Sequence, residues 1–321
     1  MKIFVTGGAG YIGSHVVYEL CDEGNQVTIY DDLSLGRKEN IDKRAKFILG
    51  STLDKQKLSE SIKSENFDAV IHLAAWKAAG ESMEKPEKYA ENNIIGSMNL
   101  LNAVSDAGIE HFVFSSTASV YGVPDYLPID EKHPIQPANY YGFTKIEIEN
   151  NLKWFSQIRK LKYAALRYFN AAGYDIKGRI KGKEKNPNNL LPIIMETASG
   201  MREKVLVFGD DYDTIDGTGV RDYIHVSDLA RAHVLALDYL VDQRKNLTVN
   251  LSTEKGYSVL EAINEAEKVT GKNIKFEIVD RREGDPDNVI ASYKKAKDLL
   301  NWQAKHSDLK TILSTMWNIY K

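Results

Sequence analysis

Short apolar runs alternate with longer helical patterns through the first half of the chain. Most of these runs lack the apolar–polar alternation of a half-buried strand, which is typical of parallel strands covered on both faces. Between the apolar runs at residues 111–114 and 164–166, Ile148, Leu152 and Phe155 share one face of an amphipathic helix. Repeated strand–helix–strand units predict a doubly wound parallel sheet of the α/β class. The predicted strands are residues 3–5, 26–30, 47–49, 69–71, 111–114 and 164–166.

The regular alternation ends after about Tyr174, and the later elements are mixed and shorter. A chain of 321 residues is long enough for two fused domains. We therefore predict a sheet domain over residues 1–175 and a smaller substrate-binding domain over residues 176–321. A segment near residues 221–240 is expected to return to the first domain.

Composition and charge argue against several classes of function and location. A formal net charge of -3 gives no broad cationic field, so nucleic acid is not an expected partner. No run approaches the ~18 apolar residues of a membrane-spanning helix, and the first residues lack the long apolar stretch of a signal peptide. The single cysteine, Cys21, favours a reducing compartment, and the seven histidines lack metal-ligand spacing. We expect a soluble, cytoplasmic protein with no membrane partner and no metal.

A glycine cluster follows the first predicted strand and begins the first helix. Residues 6–13 contain G-x-G-x-x-G at Gly8, Gly10 and Gly13, and a wider G-x-x-G-x-x-G that starts at Gly7. Glycine is needed where a side chain would hold the backbone away from a pyrophosphate, and the helix N-terminus then offers N–H groups to that anion. The position of the motif indicates a Rossmann-type dinucleotide-binding domain.

An acid follows this motif at the expected distance. Asp31 ends the second predicted strand, about 20 residues further on. A carboxylate at this position accepts hydrogen bonds from the adenosine ribose and repels a 2′-phosphate, which favours NAD over NADP. Arg37 and Lys38 follow closely, and the alternative is that they hold such a phosphate.

Tyr141 and Lys145 lie four residues apart at the start of a predicted helix, so both side chains share one face. Tyrosine titrates near ~10, too high for a base at neutral pH. We expect the Lys145 ammonium and the oxidised nicotinamide to favour the phenolate and lower the tyrosine pKa. Residues 115–122, rich in hydroxyls, leave the fifth strand where open α/β sheets bind ligands, or else cap a turn.

With these residues in place, the chain resembles the extended short-chain dehydrogenase/reductases and, among them, the UDP-glucose 4-epimerase family. The resemblance runs from Lys2 to about Leu313. Its later motifs are far more specific to this group than the glycine motif. The matching stretches are residues 7–15, 115–122, 166–170, 187–190, 216–226 and 281–285.

The resemblance implies roles for individual residues. Tyr141 is expected to be the acid/base, Lys145 to orient the nicotinamide ribose, and Thr117 to bond the sugar 4-hydroxyl. The implied NAD-binding residues are Gly7, Gly10, Tyr11, Ile12, Gly13, Asp31, Lys77, Asn92 and Tyr168. The implied substrate-binding residues are Asn170, Asn189, Arg221, Arg282, Asp285 and Val289, the last standing where a bulky aromatic residue can restrict the sugar pocket.

The implied reaction is the interconversion of UDP-glucose and UDP-galactose through a 4-keto sugar, so that the expected partner is a UDP-hexose. Related dehydratases usually carry an Asp-Glu pair directly after the Thr117 position, and a decarboxylase usually has an acid there. Ala118 and Ser119 follow Thr117 in this chain, which disfavours both. A 4-epimerase of UDP-glucuronate or of a UDP-N-acetylhexosamine stays open, as does a regulatory protein that only senses NAD.

Relatives of this type are commonly dimers, so the resemblance also implies a homodimer. Two apolar helix faces are suited either to a helix bundle across a two-fold axis or to packing inside the monomer. They lie around Ile94, Met98 and Leu101, and around Ile148, Leu152 and Phe155.

Overall fold

The computed structural model describes residues 1–185, 187–282 and 284–321. These residues form two compact units. The first comprises residues 1–122, 135–167 and 230–249, and the second comprises residues 123–134, 168–229 and 250–321. The domain boundary proposed from the sequence stays a prediction, and each unit is described below by itself.

The strands and helices follow one another along the chain as strand–helix units in the first half. The strands are β1 Lys2–Thr6, β2 Gln26–Asp31, β3 Lys46–Leu49, β4 Ala69–His72, β5 His111–Ser115, β6 Lys162–Tyr168, β7 Asn170–Ala172, β8 Val205–Phe208, β9 Val220–His225, β10 Leu247–Leu251, β11 Gly256–Ser258, β12 Phe276–Val279 and β13 Asn288–Val289. The helices are α1 Tyr11–Asp22, α2 Lys55–Lys63, α3 Ala79–Glu84, α4 Pro86–Tyr89, α5 Gly96–Asp106, α6 Tyr140–Ile158, α7 Leu190–Ala198, α8 Val226–Gln243, α9 Val259–Thr270, α10 Lys294–Leu300 and α11 Leu309–Tyr320.

A seven-stranded sheet with the order β10-β6-β5-β4-β1-β2-β3 forms the centre of the first unit. The pairings from β6 to β3 are parallel. All six strands predicted from apolar runs are present, and β4 is buried along its whole length. This confirms the predicted Rossmann-type α/β fold, because strands covered on both faces by helices need apolar side chains on both faces.

The strand order reverses beside β1, whose neighbours are β2 on one side and β4 on the other. In open α/β sheets, ligands bind at the carboxyl ends of the strands at such a reversal. Four chain segments meet that edge here: the loop after Thr6, Asp31, the loop after His72, and Ser115. The topology therefore brings the glycine loop, the acid and the hydroxyl-rich segment to one edge of the sheet.

Helix α6 packs its predicted apolar face into the core of the first unit. Ile148 and Leu152 are buried in one cluster with Leu101 of α5 and Phe112 of β5, and Phe155 packs against that cluster. These side chains are used inside the chain, which is the second of the two possibilities that the sequence left open for them.

In the second unit, β9 lies at the centre of a small sheet. It pairs with β11 antiparallel and with β7 and β13 in parallel, while β8 and β12 form a separate parallel pair. Ser258 caps α9 with a complete capping box, in which its hydroxyl accepts from the Glu261 N–H and the Glu261 carboxylate accepts from the Ser258 N–H. These contacts satisfy the first N–H groups of the helix.

Replacement of Leu152 by alanine should lower the free energy of unfolding by about 2–5 kcal/mol, because it opens a cavity in a fully buried cluster. Urea denaturation followed by circular dichroism measures the change. Lys153→Ala, on the exposed side of the same helix, is the matched control and should change stability by about 0.5 kcal/mol or less. Equal losses in the two variants would contradict the assignment of Leu152 to the core.

Candidate active site

The loop between β1 and α1 leaves room for backbone only. Gly7 has φ = 74°, and a Cβ there would stand 2.5 Å from the backbone nitrogen of Ala74. A Cβ on Gly13 would stand 2.0 Å from the carbonyl oxygen of Gly7. Any side chain at these positions would force the loop out of shape, whereas the bare loop lets a pyrophosphate approach the start of α1. The loop therefore fits the diphosphate of NAD.

The first turn of α1 presents N–H groups toward the same edge. Gly10 precedes the helix and makes no side-chain cap, and Tyr11 and Ile12 are the first residues of the helix, whose N-terminus favours an anion. The Lys77 ammonium, on the loop after β4, lies 5.8 Å from the centroid of the Tyr11 ring. Three of the predicted cofactor residues are thus close together.

Asp31 is buried at the carboxyl end of β2 and holds the glycine loop. Its Oδ2 accepts from the Ala9 N–H at 3.0 Å and its Oδ1 accepts from the Leu33 N–H at 2.8 Å. A Cβ on Gly36 would stand 2.7 Å from the same Oδ1. A carboxylate at the carboxyl end of the second strand, beside the glycine loop, lies where the ribose of a dinucleotide binds in folds of this type. The residue suits the ribose-binding role predicted for it.

A π-helical turn over residues 90–95 contains the predicted cofactor residue Asn92 and a second asparagine that sequence reasoning missed. The buried Asn93 amide accepts from the Trp76 N–H and donates to the Trp76 carbonyl, both at 2.9 Å. It also donates to the Thr144 hydroxyl at 3.2 Å. This amide links the loop that contains Lys77 to α6. The signal in the sequence is the adjacent pair Asn92-Asn93, of which only Asn92 had been predicted to bind the cofactor.

The carboxyl end of β5 presents three hydroxyl residues in succession. Ser115 and Ser116 are buried, and Thr117 begins the turn over residues 118–120. The Thr117 Oγ1 accepts from the Ser119 N–H and donates to the Ser119 hydroxyl, both at 3.2 Å. Thr117 therefore does cap a turn, and it lies just beyond the carboxyl end of β5.

The first turn of α6 carries Tyr141 and is fixed from several sides. Asn139 caps the helix by accepting from the Gly142 N–H at 2.9 Å. The Tyr141 N–H donates to the hydroxyl of the buried Ser82 at 3.0 Å. A Cβ on Gly142 would stand 2.4 Å from the Ser119 carbonyl oxygen, so α6 lies directly against the turn after Thr117.

Lys145 is buried one helical turn beyond Tyr141. Its Nζ donates to the Ser115 carbonyl at 2.8 Å and lies 4.8 Å from the centroid of the Phe114 ring. The same nitrogen lies 5.8 Å from the centroid of the Tyr141 ring. The predicted pair therefore faces one side of the helix. Lys145 contacts the end of β5, and Tyr141 hydrogen-bonds Thr117, two residues beyond that strand.

Burial dominates the electrostatics of the Tyr141–Lys145 pair. Burial raises the pKa of Tyr141 to about 12, and the hydrogen bond with Thr117 only partly opposes this. Burial also lowers the pKa of Lys145 to about 7, against the attraction of Glu149. Loss of solvation disfavours the charged form of both groups. The expected lowering of the Tyr141 pKa depends on the oxidised nicotinamide as well as on Lys145, and it stays a prediction.

The predicted substrate residues Arg221, Arg282 and Asp285 belong to the second unit. The Arg221 Nη2 donates to the Asp285 carboxylate at 2.5 Å. The Arg282 guanidinium lies 3.7 Å from the centroid of the Phe208 ring. Tyr212, which sequence reasoning missed, donates its hydroxyl to Asp285 at 3.3 Å. Guanidinium groups held in this way suit a diphosphate, since they bind phosphate oxygens in pairs.

An open pocket of about 670 Å³ lies at this cluster, lined in part by Arg282 and Asp285. Val289 directly follows Asn288, which also lines this pocket, and it pairs in β13 with Arg221 of β9. Asn170 donates its amide to the Asp222 carbonyl at 3.0 Å, which ties β7 to β9, and Asn189 precedes α7. Tyr168, the last predicted cofactor residue, is buried at the end of β6.

Among residues 1–185, 187–282 and 284–321, no group of three or more His, Cys, Asp or Glu side chains is placed to hold a metal ion. Over the same ranges, every helix is too short or too polar to cross a bilayer.

The glycine loop, the acid at the end of β2 and the Tyr–Lys pair against β5 define an NAD-dependent member of the short-chain dehydrogenase class. In agreement, residues 3–252 match the model of the NAD dependent epimerase/dehydratase family, and the chain belongs to that family.

Individual relatives sharpen the comparison. The chain is 44% identical over 321 residues to the UDP-glucose 4-epimerase of Lactobacillus helveticus, with 100% of this chain and 97% of that protein covered. The crystal structure of UDP-glucose 4-epimerase from Brucella ovis in complex with NAD matches with a TM-score of 0.97 at 40% identity, covering 99% of this chain and 98% of that one. The enzyme from Bifidobacterium longum in complex with NAD+ and UDP matches with a TM-score of 0.92 at 36% identity, covering 99% and 98%.

Replacement of Gly13 by alanine should weaken NAD binding about tenfold or more, because the new Cβ collides with the Gly7 carbonyl in the loop that receives the pyrophosphate. Isothermal titration of NAD-stripped protein measures the dissociation constant. Gly80→Ala is the matched control, since no described atom beyond its chain neighbours and its own helix backbone lies within 4 Å of the added Cβ. An unchanged dissociation constant in Gly13→Ala would argue against this loop as the diphosphate site.

Proposed function

We propose that this chain interconverts UDP-glucose and UDP-galactose with NAD as a bound cofactor. One observation carries the proposal: Tyr141 and Lys145 stand one turn apart at the start of α6, and that turn lies against the hydroxyl-rich end of β5. Relatives of 44% identity that bear the name UDP-glucose 4-epimerase support this substrate over an N-acetylated or C6-oxidised UDP-sugar.

The proposed chemistry divides among three side chains of the first unit. Tyr141 takes the proton of the sugar 4-hydroxyl at its phenolic oxygen and later returns it. Thr117 hydrogen-bonds the same sugar oxygen, so that the oxygen stays in place while its bond to C4 becomes a carbonyl. Bound NAD supplies the hydride acceptor and donor for C4, and it is regenerated in each turnover. The 4-keto sugar rotates in the site between the two hydride transfers, so that it is reduced on its other face.

Lys145 supplies charge in this proposal. Since burial raises the pKa of Tyr141 to about 12, ionisation near neutral pH depends on cations around the phenol. The Lys145 ammonium is one such cation, and the oxidised nicotinamide ring brings a second. Lys145 also anchors the nicotinamide ribose, as its amino group has donors beyond the one given to Ser115.

The second unit is proposed to hold the uridine diphosphate. Arg221 and Arg282 bind the diphosphate oxygens, and Asp285 keeps the Arg221 guanidinium in position through their ion pair. Asn170, Asn189 and Val289 complete this set of substrate residues. A dehydratase is disfavoured, because the residues that follow Thr117 have no carboxyl group with which to protonate a leaving hydroxyl.

Replacement of Tyr141 by phenylalanine should lower turnover of UDP-galactose by about 10²–10⁴-fold, because the variant keeps the ring and loses the proton acceptor. Product UDP-glucose is measured by chromatography without added NADH, and bound NAD by its release on denaturation. The NAD content should stay unchanged. Tyr140→Phe makes the same change one residue earlier and is the control. Wild-type-like turnover in Tyr141→Phe would remove this residue from its role.

A homodimer is the proposed assembly. Trp154 and Ile158 lie one turn apart on α6 and are 63% and 64% exposed, although the other face of this helix is in the core. Large apolar side chains exposed together suit a subunit interface. Light scattering should therefore give twice the chain mass of 36.2 kDa. The double variant Trp154→Glu/Ile158→Glu should reduce this to one chain mass, and a monomeric wild-type protein would contradict the proposal.

The proposed location is the cytoplasm. The chain has one cysteine, and the Cys21 thiol is buried with a pKa raised to about 11 by burial, so that it stays protonated and unreactive. A UDP-sugar substrate agrees with this location.

A further inference from the structure

The carboxylate of Glu149 lies at the centre of a buried hydrogen-bond network, one helical turn beyond Lys145. Its Oε1 accepts from the Ser116 hydroxyl at 2.6 Å and from Arg167 Nε at 2.9 Å. Its Oε2 accepts from Arg167 Nη2 at 2.5 Å. Arg167 Nη1 donates to the Tyr121 hydroxyl at 3.0 Å. These four side chains are all buried, and none of them was assigned a role from the sequence.

The two polar side chains of α6 bind adjacent residues of the same strand end. Lys145 binds the carbonyl of Ser115, and Glu149 binds the hydroxyl of Ser116. The next residue is Thr117, whose hydroxyl is proposed to bond the sugar oxygen. The position of that hydroxyl relative to the helix is therefore set by two bonds on the two residues directly before it.

We propose that Glu149, held by Arg167, is a positioning residue for the reaction: it fixes the strand end before Thr117 and keeps the Lys145 ammonium charged. The inference rests on the proposed epimerase function. A buried ion pair is a weak source of stability, because the loss of hydration offsets the attraction between the charges. The Glu149–Arg167 pair is better explained by its effect on the strand end and on the Lys145 ammonium.

The charged and titratable groups around Lys145 agree with this role. From α6, Glu149 attracts the ammonium and Tyr141 faces it. From β4, the buried His72 has a pKa lowered to about 3 by burial and by the charge of Lys145, so that it is neutral. From β6, Arg167 stands behind Glu149 and is neutralised by it. The carboxylate thus supplies the anion that supports the buried ammonium.

The main test is Glu149→Gln, a change that keeps the shape and removes the charge. With enzyme saturated in NAD, the alkaline limb of the pH profile of kcat/KM should move to lower pH by about one unit or more. The reason is twofold, since Lys145 loses an attractive charge and is left with the repulsion of Arg167. Glu147→Gln, the same change two residues earlier on α6, is the matched control and should leave the limb in place.

A second readout does not depend on activity. The pKa of Lys145 in the folded chain is about 7, below the ~10.4 of an unfolded lysine, so between these values the unfolded state binds more protons and stability rises with pH. In Glu149→Gln the folded pKa falls further, so this rise in the unfolding midpoint should begin at lower pH. Thermal unfolding of NAD-free protein from pH 5 to pH 10 measures the onset.

Two further variants separate the parts of the proposal. If Arg167 without its partner prevents folding, Glu149→Gln/Arg167→Met removes both charges, and its alkaline limb should still move to lower pH. Ser116→Ala removes one hydrogen bond to the strand end and should lower kcat about fivefold with the limb unmoved.

The outcomes are distinct. The role of Glu149 toward Lys145 would be overturned if Glu149→Gln and Glu149→Gln/Arg167→Met both kept the alkaline limb and the stability onset of the wild-type protein. An unchanged kcat in Ser116→Ala would overturn the role of Glu149 at the strand end. Absence of epimerase activity in the wild-type protein would instead overturn the proposed function, while the shift in the stability onset would still report on the charge of Lys145.

Discussion

The arrangement of the proposed active site depends on one buried hydrogen bond, from the Lys145 ammonium to the Ser115 carbonyl. An ammonium that leaves water loses its hydration, and only strong acceptors at short range offset that loss. The carbonyl belongs to the last residue of β5, so the bond joins α6 to the edge of the sheet where ligands bind. Once this contact forms, Tyr141 has little freedom in where it stands, because it lies one turn earlier on the same rigid helix.

The rest of the first unit supports that contact from different directions. Glycines without side chains allow the loop after β1 to fold closely, and Asp31 fixes the loop through a backbone N–H. Asn93 joins the loop after β4 to α6 through the backbone of Trp76. Both residues are buried polar groups with satisfied hydrogen bonds, which favours one geometry over many similar ones. A site built in this way is largely formed before any ligand binds.

The sequence predicted the sheet and the main side chains because their signals are local. Apolar runs without alternation indicate parallel strands, a glycine cluster indicates a close turn, and a spacing of four places Tyr141 and Lys145 on one helix face. The roles assigned to most site residues came from family resemblance and stay predictions. Glu149 and Arg167 were missed because they meet across 18 residues of chain, and nothing local marks them as partners. The effect of burial on the tyrosine pKa was missed for a related reason, since solvation depends on the whole surrounding fold.

The first unit is assembled from three separate stretches of chain, and the second from the three that remain. The strand order reflects this, because β10, which joins the sheet beside β6, is made long after the other six strands. No single cut can therefore release a complete sheet unit: a fragment that ends after β6 lacks the strand beside it. During synthesis, the central sheet must wait for residues near 250 before its edge is complete, so the final closure of the cofactor-binding half is a late event on the ribosome.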